Sequence, residues 1–171
     1  HSTYRPVAVY ASDVNGDGIT ELPRAVLMAG YKDTSSSDAV YMLDWYAYGI
    51  GKVPAKVATT YQNISDAWSL LIDQKWHNRI TAIKANDGGL SYVEFFEYRK
   101  NKMSIPLFNI YCATGSNREY YAERTDLIQL GQTTQAIYFA KLTNEGEQSE
   151  LALTGDEIKA RFSLVNQAWN N

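Results

Sequence analysis

Residues 90–98 read LSYVEFFEY, a stretch rich in aromatic and β-branched side chains that is typical of a β-strand. Three further segments of this kind lie nearby, with short polar links such as residues 86–89 between them: 67–72, 79–84 and 107–112. Strands that follow one another after short links are typical of an antiparallel meander. The pattern therefore predicts an antiparallel β-sheet over the larger part of the chain.

A helix is predicted near the carboxyl end. Thr154 and Glu157 have the spacing of a capping box, in which each side chain satisfies a backbone donor of the other residue. The apolar residues that follow at near-helical spacing predict a stripe that packs on the sheet: Ile158, Phe162, Val165 and Trp169. A short helix is predicted at 117–126 and a further strand at 136–142. The predicted fold class is α+β, an antiparallel β-sheet with a C-terminal helix packed on it.

The amino-terminal part of the chain predicts a hairpin and meander around an acidic loop. Its predicted strands are residues 4–12, 22–28, 40–48 and 53–61. The pattern changes near Ile64, which divides the chain into a β-rich segment, residues 1–62, and an α+β domain, residues 63–171. The two parts can also pack as one unit.

The acidic loop, DVNGDGITE at residues 13–21, is the motif whose spacing implies chemistry. Ca²⁺ binds six to eight oxygen atoms, and side chains at positions one, three and five of a curled loop can direct oxygens at one point. Asp13, Asn15 and Asp17 occupy those positions. The carbonyl of Ile19 and the carboxylate of Glu21 extend the candidate ligand set. The alternative is a metal-free turn, because Asn-Gly and Asp-Gly pairs form turns for backbone reasons alone.

The surroundings of the loop distinguish it from an EF-hand. Position twelve is Arg24, where an EF-hand has a glutamate, and the flanking segments are strand-like. With the following Leu22 and Pro23, the loop resembles the calcium loops of FG-GAP and VCBS repeats of bacterial surface proteins. The resemblance implies that the same five residues bind a structural Ca²⁺. Those repeats occur in arrays, whereas this chain holds one copy.

The rest of the chain, from Tyr61 onward, has an order of features that suggests a second resemblance. The features are Trp68–Ile72 followed by Trp76, the segments 92–98 and 107–111, Tyr120 with Tyr121, the segment 137–139, and the closing helix at 156–165. In this order the chain resembles a PsbP-like domain of secreted proteins and lipoproteins of Firmicutes, an uncharacterised family. The resemblance implies an extracytoplasmic location, either secreted or anchored to a membrane as a lipoprotein, and it assigns no activity.

Composition argues against a nucleic-acid partner and against a membrane-spanning helix. The net charge is −3 and the lysines and arginines are scattered, so the chain has no basic surface stripe of the kind that binds nucleic acid. No apolar run approaches the roughly 20 residues that a membrane-spanning helix needs. Cys112 is the single cysteine, so no disulfide forms within the chain. The start at His1 without an initiator Met predicts a processed or shortened chain.

The sequence carries no catalytic signature. Cys112 is predicted on the same strand face as Phe108 and Ile110, as a buried thiol, and not as a nucleophile activated by His77. The carboxylates considered for glycoside hydrolysis are predicted to be solvated surface groups: Asp44, Asp66, Asp73, Glu94 and Glu97.

The leading hypothesis is therefore a non-enzymatic, extracytoplasmic module of a cell-surface protein or lipoprotein with a structural Ca²⁺. Its partner is unknown, and cell-wall glycan and another surface protein are the two candidates. An alternative is a carbohydrate-binding module that stacks sugars on exposed rings of Tyr41, Trp45, Tyr46 and Tyr48. A third hypothesis is a hydrolase that uses an unrecognised pair of carboxylates.

Overall fold

The structure is a computed structural model that describes residues 6–35, 37–87, 90–116 and 118–165. The strands in these ranges are β1 Leu22–Leu27, β2 Tyr41–Ala47, β3 Ala55–Asn63, β4 Trp68–Leu71, β5 Ile80–Asp87, β6 Leu90–Arg99, β7 Lys102–Thr114, β8 Ile128–Gln132, β9 Ala136–Leu142 and β10 Phe162–Leu164. The helices are α1 Arg118–Ala122, α2 Asn144–Glu147 and α3 Gly155–Arg161, and a 3-10 turn spans Gln74–Trp76.

The strands form two five-stranded antiparallel sheets. The first sheet has the order β1-β2-β3-β4-β10, and the second has the order β5-β6-β7-β9-β8. The predicted antiparallel sheet is confirmed, but the fold is mostly β, because the three helices in the described part of the chain have at most seven residues each.

The two sheets pack against each other around a hydrophobic core rich in aromatic rings. Tyr61 of the first sheet meets Phe95 of the second edge to face, with 5.4 Å between ring centroids. The indole N–H of Trp76 donates to the carbonyl of Leu151 at 3.0 Å, so this fully buried ring has its polar atom satisfied. Burial of these apolar surfaces is the main force that holds the sheets together.

The carboxyl-terminal helix begins where predicted and ends early. In α3 the Thr154 hydroxyl accepts from the Glu157 N–H at 3.2 Å, and the Glu157 carboxylate accepts from the Thr154 N–H at 2.7 Å. The helix stops at Arg161, so the prediction of one long helix with a stripe through Val165 is wrong. Phe162 adopts extended backbone angles, pairs with Leu70 of β4 and buries its ring. Trp169 lies outside the described residues.

The predicted four-strand meander is divided between the sheets. Strands β5, β6 and β7 are consecutive antiparallel neighbours, as predicted, but β4 pairs with β3 in the first sheet. The predicted boundary after residue 62 falls within β3, one residue before its end, and both parts of the chain contribute to one core. The division into domains itself stays a prediction.

Of the predicted strand at residues 4–12, residues 4 and 5 lie outside the described residues, and the remainder is reduced to one bridge. Ser12 pairs with Glu21, and residues 6–11 are not part of a strand. The acidic loop therefore precedes the first sheet and is closed by that bridge. In the described ranges, no helix combines the length and apolar character that crossing a membrane requires.

Candidate metal site

The acidic loop is closed at its base by two backbone hydrogen bonds. The Ser12 N–H donates to the Glu21 carbonyl at 3.1 Å, and the Glu21 N–H donates to the Ser12 carbonyl at 3.0 Å. Between them, Gly16 and Gly18 have φ values of +77° and +83°, in the left-handed region that side chains disfavour. The two glycines let the chain curl tightly enough to direct several side chains inward.

Asp13 organises the loop by accepting three backbone hydrogen bonds. Its Oδ1 accepts from the N–H groups of Gly16 at 2.7 Å and Asp17 at 3.1 Å, and its Oδ2 accepts from Gly18 at 2.8 Å. The hydrogen bond from Gly18 is the largest influence that holds the Asp13 pKa below its usual value. Asp13 is therefore ionised at neutral pH.

Asn15 and Asp17 bind each other and the backbone between them. The Asp17 N–H donates to Asn15 Oδ1 at 3.1 Å, while the Asn15 amide donates to Asp17 Oδ2 at 2.9 Å. Asp17 Oδ1 accepts from the Ile19 N–H at 2.8 Å. The loop is thus already shaped by its own hydrogen bonds, and the side chain of Ile19 stays half exposed.

Glu21 is the unusual member of the loop, because its side chain is fully buried. Its Oε2 accepts from the Val14 N–H at 2.9 Å, but its Oε1 is buried with no hydrogen-bond partner among the described residues. Buried polar atoms in proteins are almost always paired, and an unpaired carboxylate oxygen is especially unfavourable. A cation beside this oxygen would supply the missing partner.

Three carboxylates of the loop converge. One oxygen each from Asp13, Asp17 and Glu21 lies within 4.8 Å of the other two. Oxygen-rich, negatively charged sites of this kind suit hard divalent cations. The loop can therefore hold a metal ion, and Asn15 and the Ile19 carbonyl as further ligands stay predictions.

No family model, curated protein or solved structure matches the chain. The resemblances to FG-GAP and VCBS loops and to PsbP-like domains therefore stay predictions. The geometry of the loop itself supports a metal site there.

Cys112 has the environment of an inert thiol. It is buried with Phe108 and Ile110 in the core, as the alternation along β7 predicted. Burial raises the pKa of its thiol to about 11, so the group is protonated at neutral pH. His77 is exposed at the end of the 3-10 turn.

Two of the five carboxylates predicted at the surface are buried, and that prediction is wrong for Asp44 and Glu97. Each of these carboxylates pairs with at least one cationic side chain and accepts a hydrogen bond from a hydroxyl group. Asp44 pairs with Lys56 at 2.7 Å and accepts from Thr59 at 2.7 Å. Buried carboxylates are tolerated only when paired in this way.

Glu97 lies between two arginines and a serine. Its Oε1 pairs with Arg99 and with Arg79, and its Oε2 accepts from Ser149 at 2.8 Å. Burial raises the Glu97 pKa, but the hydrogen bonds from Arg99 and Ser149 and the charges of both arginines outweigh it and lower the pKa. These contacts connect β6 to the segment after α2 and give Glu97 a structural role.

An open groove of about 930 Å³ lies beside β3, β4 and the 3-10 turn. Its wall includes Met42, Val57 and Leu71, and its lining includes the ion pair of Asp73 with Arg161 at 2.6 Å. Glycoside hydrolysis needs two carboxylates that face each other across a cleft. Among the described residues, Asp73 is the one carboxylate that lines this groove, and it is paired with a cation.

The aromatic residues proposed for sugar stacking do not form an exposed platform. Trp45 is 1% exposed, and its indole N–H donates to the Thr60 hydroxyl at 2.8 Å. Tyr41 and Tyr46 are partly buried, and Tyr48 alone of the four is largely exposed. Stacking on the predicted set of four rings is therefore not possible in this structure.

Proposed function

We propose that this chain is a non-enzymatic, extracytoplasmic module whose acidic loop binds one structural Ca²⁺ through the carboxylates of Asp13, Asp17 and Glu21. The observation that carries the proposal is the buried Glu21 carboxylate. One of its oxygens has no hydrogen-bond partner among the described residues, and the group lies close to the carboxylates of Asp13 and Asp17. The resemblance of the loop to FG-GAP and VCBS calcium loops supports the same ion.

The chemistry of the loop favours Ca²⁺ over transition metals. The converging groups are all carboxylates, and no histidine or cysteine belongs to the cluster. Asp13 and Asp17 are exposed, so the ion would also keep water ligands. Open sites of this kind in extracellular modules bind Ca²⁺ with dissociation constants of roughly 10⁻⁴–10⁻³ M. Such a site fills where Ca²⁺ is millimolar, which supports an extracytoplasmic location.

The role of the ion would be to fix the amino-terminal segment to the first sheet. Glu21 directly precedes β1, and the bridge to Ser12 at the loop base is isolated from other ladder pairs. Three carboxylates within one loop repel each other, and a bound cation removes that repulsion. Ion binding and folding of this loop are therefore coupled.

The proposal is tested by thermal unfolding with Ca²⁺ and with chelator. An ion at about 100 times its dissociation constant stabilises the folded state by about 2.7 kcal/mol, which raises Tm by about 5–10 °C for a domain of this size. Asp17→Ala should lose this rise, because it removes one of the three converging carboxylates. Asp33→Ala, at an exposed position outside the loop, is the matched control and should keep it. An equal Tm of the unaltered protein with Ca²⁺ and with chelator would contradict the proposal.

A further inference from the structure

Two projections leave the same end of the first sheet. Leu22, the first residue of β1, pairs with Tyr46 near the end of β2, and the acidic loop ends one residue before Leu22. The turn between β2 and β3, residues 48–54, begins beside that pair, because Ala47 pairs with Ala55. The acidic loop and this turn therefore form one end of the sheet, here called the loop end.

The loop end exposes several large apolar side chains. Its large exposed apolar side chains are Ile19 (50%), Leu22 (47%), Tyr48 (56%), Ile50 (105%) and Val53 (89%). Ile50 lies between two glycines at the tip of the turn, and Gly51 has a φ of +69°. Single exposed apolar residues are ordinary, but a group of them on neighbouring projections indicates a contact surface.

The charge of the loop end depends on the ion. Residues 45–65 contain no acidic residue, and Lys52 is exposed at the turn with no ion-pair partner among the described residues. The neighbouring loop carries three converging carboxylates, which would repel an anionic surface. One bound Ca²⁺ balances two of these three negative charges, and the positive charge of Lys52 balances the third.

We propose that the loop end docks on an anionic phospholipid bilayer when Ca²⁺ fills the acidic loop. This inference rests on the proposed calcium site and adds the partner. Ile50 and Val53 enter the boundary between headgroups and acyl chains, and Tyr48 lies at headgroup level, where tyrosine is enriched. Lys52 faces the anionic headgroups, and the bound Ca²⁺ can exchange the water ligands that it keeps beside the exposed Asp13 and Asp17 for headgroup oxygens.

The shape of the loop end favours a bilayer over a protein partner. Stable protein interfaces bury more than about 1,000 Å² with good shape complementarity. Here the most exposed side chains, Ile50 and Val53, are on a seven-residue turn, residues 48–54, that projects from the sheet. A turn of this size can enter the soft boundary of a bilayer without a matching rigid surface.

The test is co-sedimentation with vesicles, measured in parallel with Tm. The full chain is mixed with vesicles of phosphatidylglycerol and phosphatidylcholine, or of phosphatidylcholine alone, with Ca²⁺ or with chelator. We expect binding only to the anionic vesicles and only with Ca²⁺. Ile50→Asp should weaken that binding by roughly tenfold or more, because burial of one such side chain contributes that much. Asp17→Ala should abolish it.

Met103→Asp is the matched control, since Met103 is 48% exposed on β7 of the second sheet and receives the same new charge. It should bind vesicles as the unaltered protein does. Ile50→Asp should keep the Ca²⁺-dependent rise in Tm, which shows that the loop is intact. A Tm rise without vesicle binding overturns the docking inference and leaves the calcium site standing, whereas no Tm rise overturns the calcium site. Equal binding with chelator, or Ca²⁺-dependent dimerisation that Ile50→Asp prevents, also overturns the docking inference.

Discussion

Replacing Glu21 with Gln should change stability in opposite directions with and without Ca²⁺. Without Ca²⁺, the buried carboxylate has one unpaired oxygen and lies near two further carboxylates. Glutamine has the same shape, keeps an oxygen that can accept from the Val14 N–H, and places a neutral donor where the unpaired oxygen was. That donor can hydrogen-bond to the neighbouring carboxylates.

The magnitude follows from the burial of Glu21. An unsatisfied buried acceptor costs about 1–3 kcal/mol, so removal of this one should stabilise the calcium-free protein by about 2 kcal/mol. For a domain of this size, that corresponds to a Tm increase of about 4–8 °C. With saturating Ca²⁺ the unaltered protein should be the more stable of the two, because it binds the ion and the variant has lost a charged ligand.

The assay is thermal unfolding of both proteins in chelator and in Ca²⁺, followed by circular dichroism. Glu123→Gln, which removes one negative charge from an exposed side chain, is the matched control for net charge. We expect the two Tm values of this control to follow those of the unaltered protein. If Glu21→Gln lowers Tm equally in chelator and in Ca²⁺, Glu21 is a structural carboxylate and the reasoning is refuted.

Two further predictions concern the fold. Glu97→Gln should lower the free energy of unfolding by about 2 kcal/mol at neutral pH, because Arg99 loses a charged acceptor. Since the Glu97 pKa is lowered on folding, this difference should shrink as pH falls below about 4.5, which denaturant titrations against pH would show. Gly146→Ala should destabilise by about 3 kcal/mol, since its methyl group would lie 2.2 Å from the Leu107 carbonyl oxygen. Gly155→Ala, which meets only a side-chain end, should cost less in the same denaturant titration.

Local sequence predicted most strands and the succession β5-β6-β7, but not the partner of β4. The segment 136–142 matches β9 at both ends, and 90–98 matches β6 to within one residue. The strand at Trp68–Leu71 was also predicted, yet it was placed in the wrong sheet. Its pairing with β3 follows from a tight turn in which Ala67 has a φ of +55°, a conformation that alanine does not signal in the sequence.

The carboxyl-terminal helix shows why the first residue of a helix is easier to predict from sequence than its last residue. The capping box depends on two side chains three residues apart, and the structure contains it as predicted. The apolar spacing from Ile158 to Phe162 fits a continuing helix. The same spacing fits a helix that ends at Arg161 and is followed by a strand whose first side chain, Phe162, enters the core. Pairing of this strand with β4 decides in favour of the second arrangement. That pairing is a long-range contact, and the spacing of apolar residues along the chain does not predict it.

The sequence predicted which loop is the candidate site, but not that Glu21 is buried in it. The spacing of Asp13, Asn15, Asp17 and Glu21 identified the loop, because oxygen ligands on alternate residues can converge. Burial of Glu21 depends on how the loop folds against the start of β1, which local sequence does not specify. The exposed turn that carries Ile50 was interpreted only as a reversal between strands, since exposure also depends on the assembled sheet.

Hydrogen bonds within the loop hold much of the shape that an ion would need. Three backbone N–H groups donate to Asp13 and help to order the turn, so the coupling of ion binding to folding comes mainly from relief of the repulsion among the three carboxylates. Those same bonds compete for the lone pairs of Asp13, and the exposure of Asp13 and Asp17 lets water compete for the ion. Preorganisation raises affinity, while competition and exposure lower it. We therefore expect the loop to fill only where Ca²⁺ is millimolar, so the proposed contact with a bilayer would form only at such concentrations.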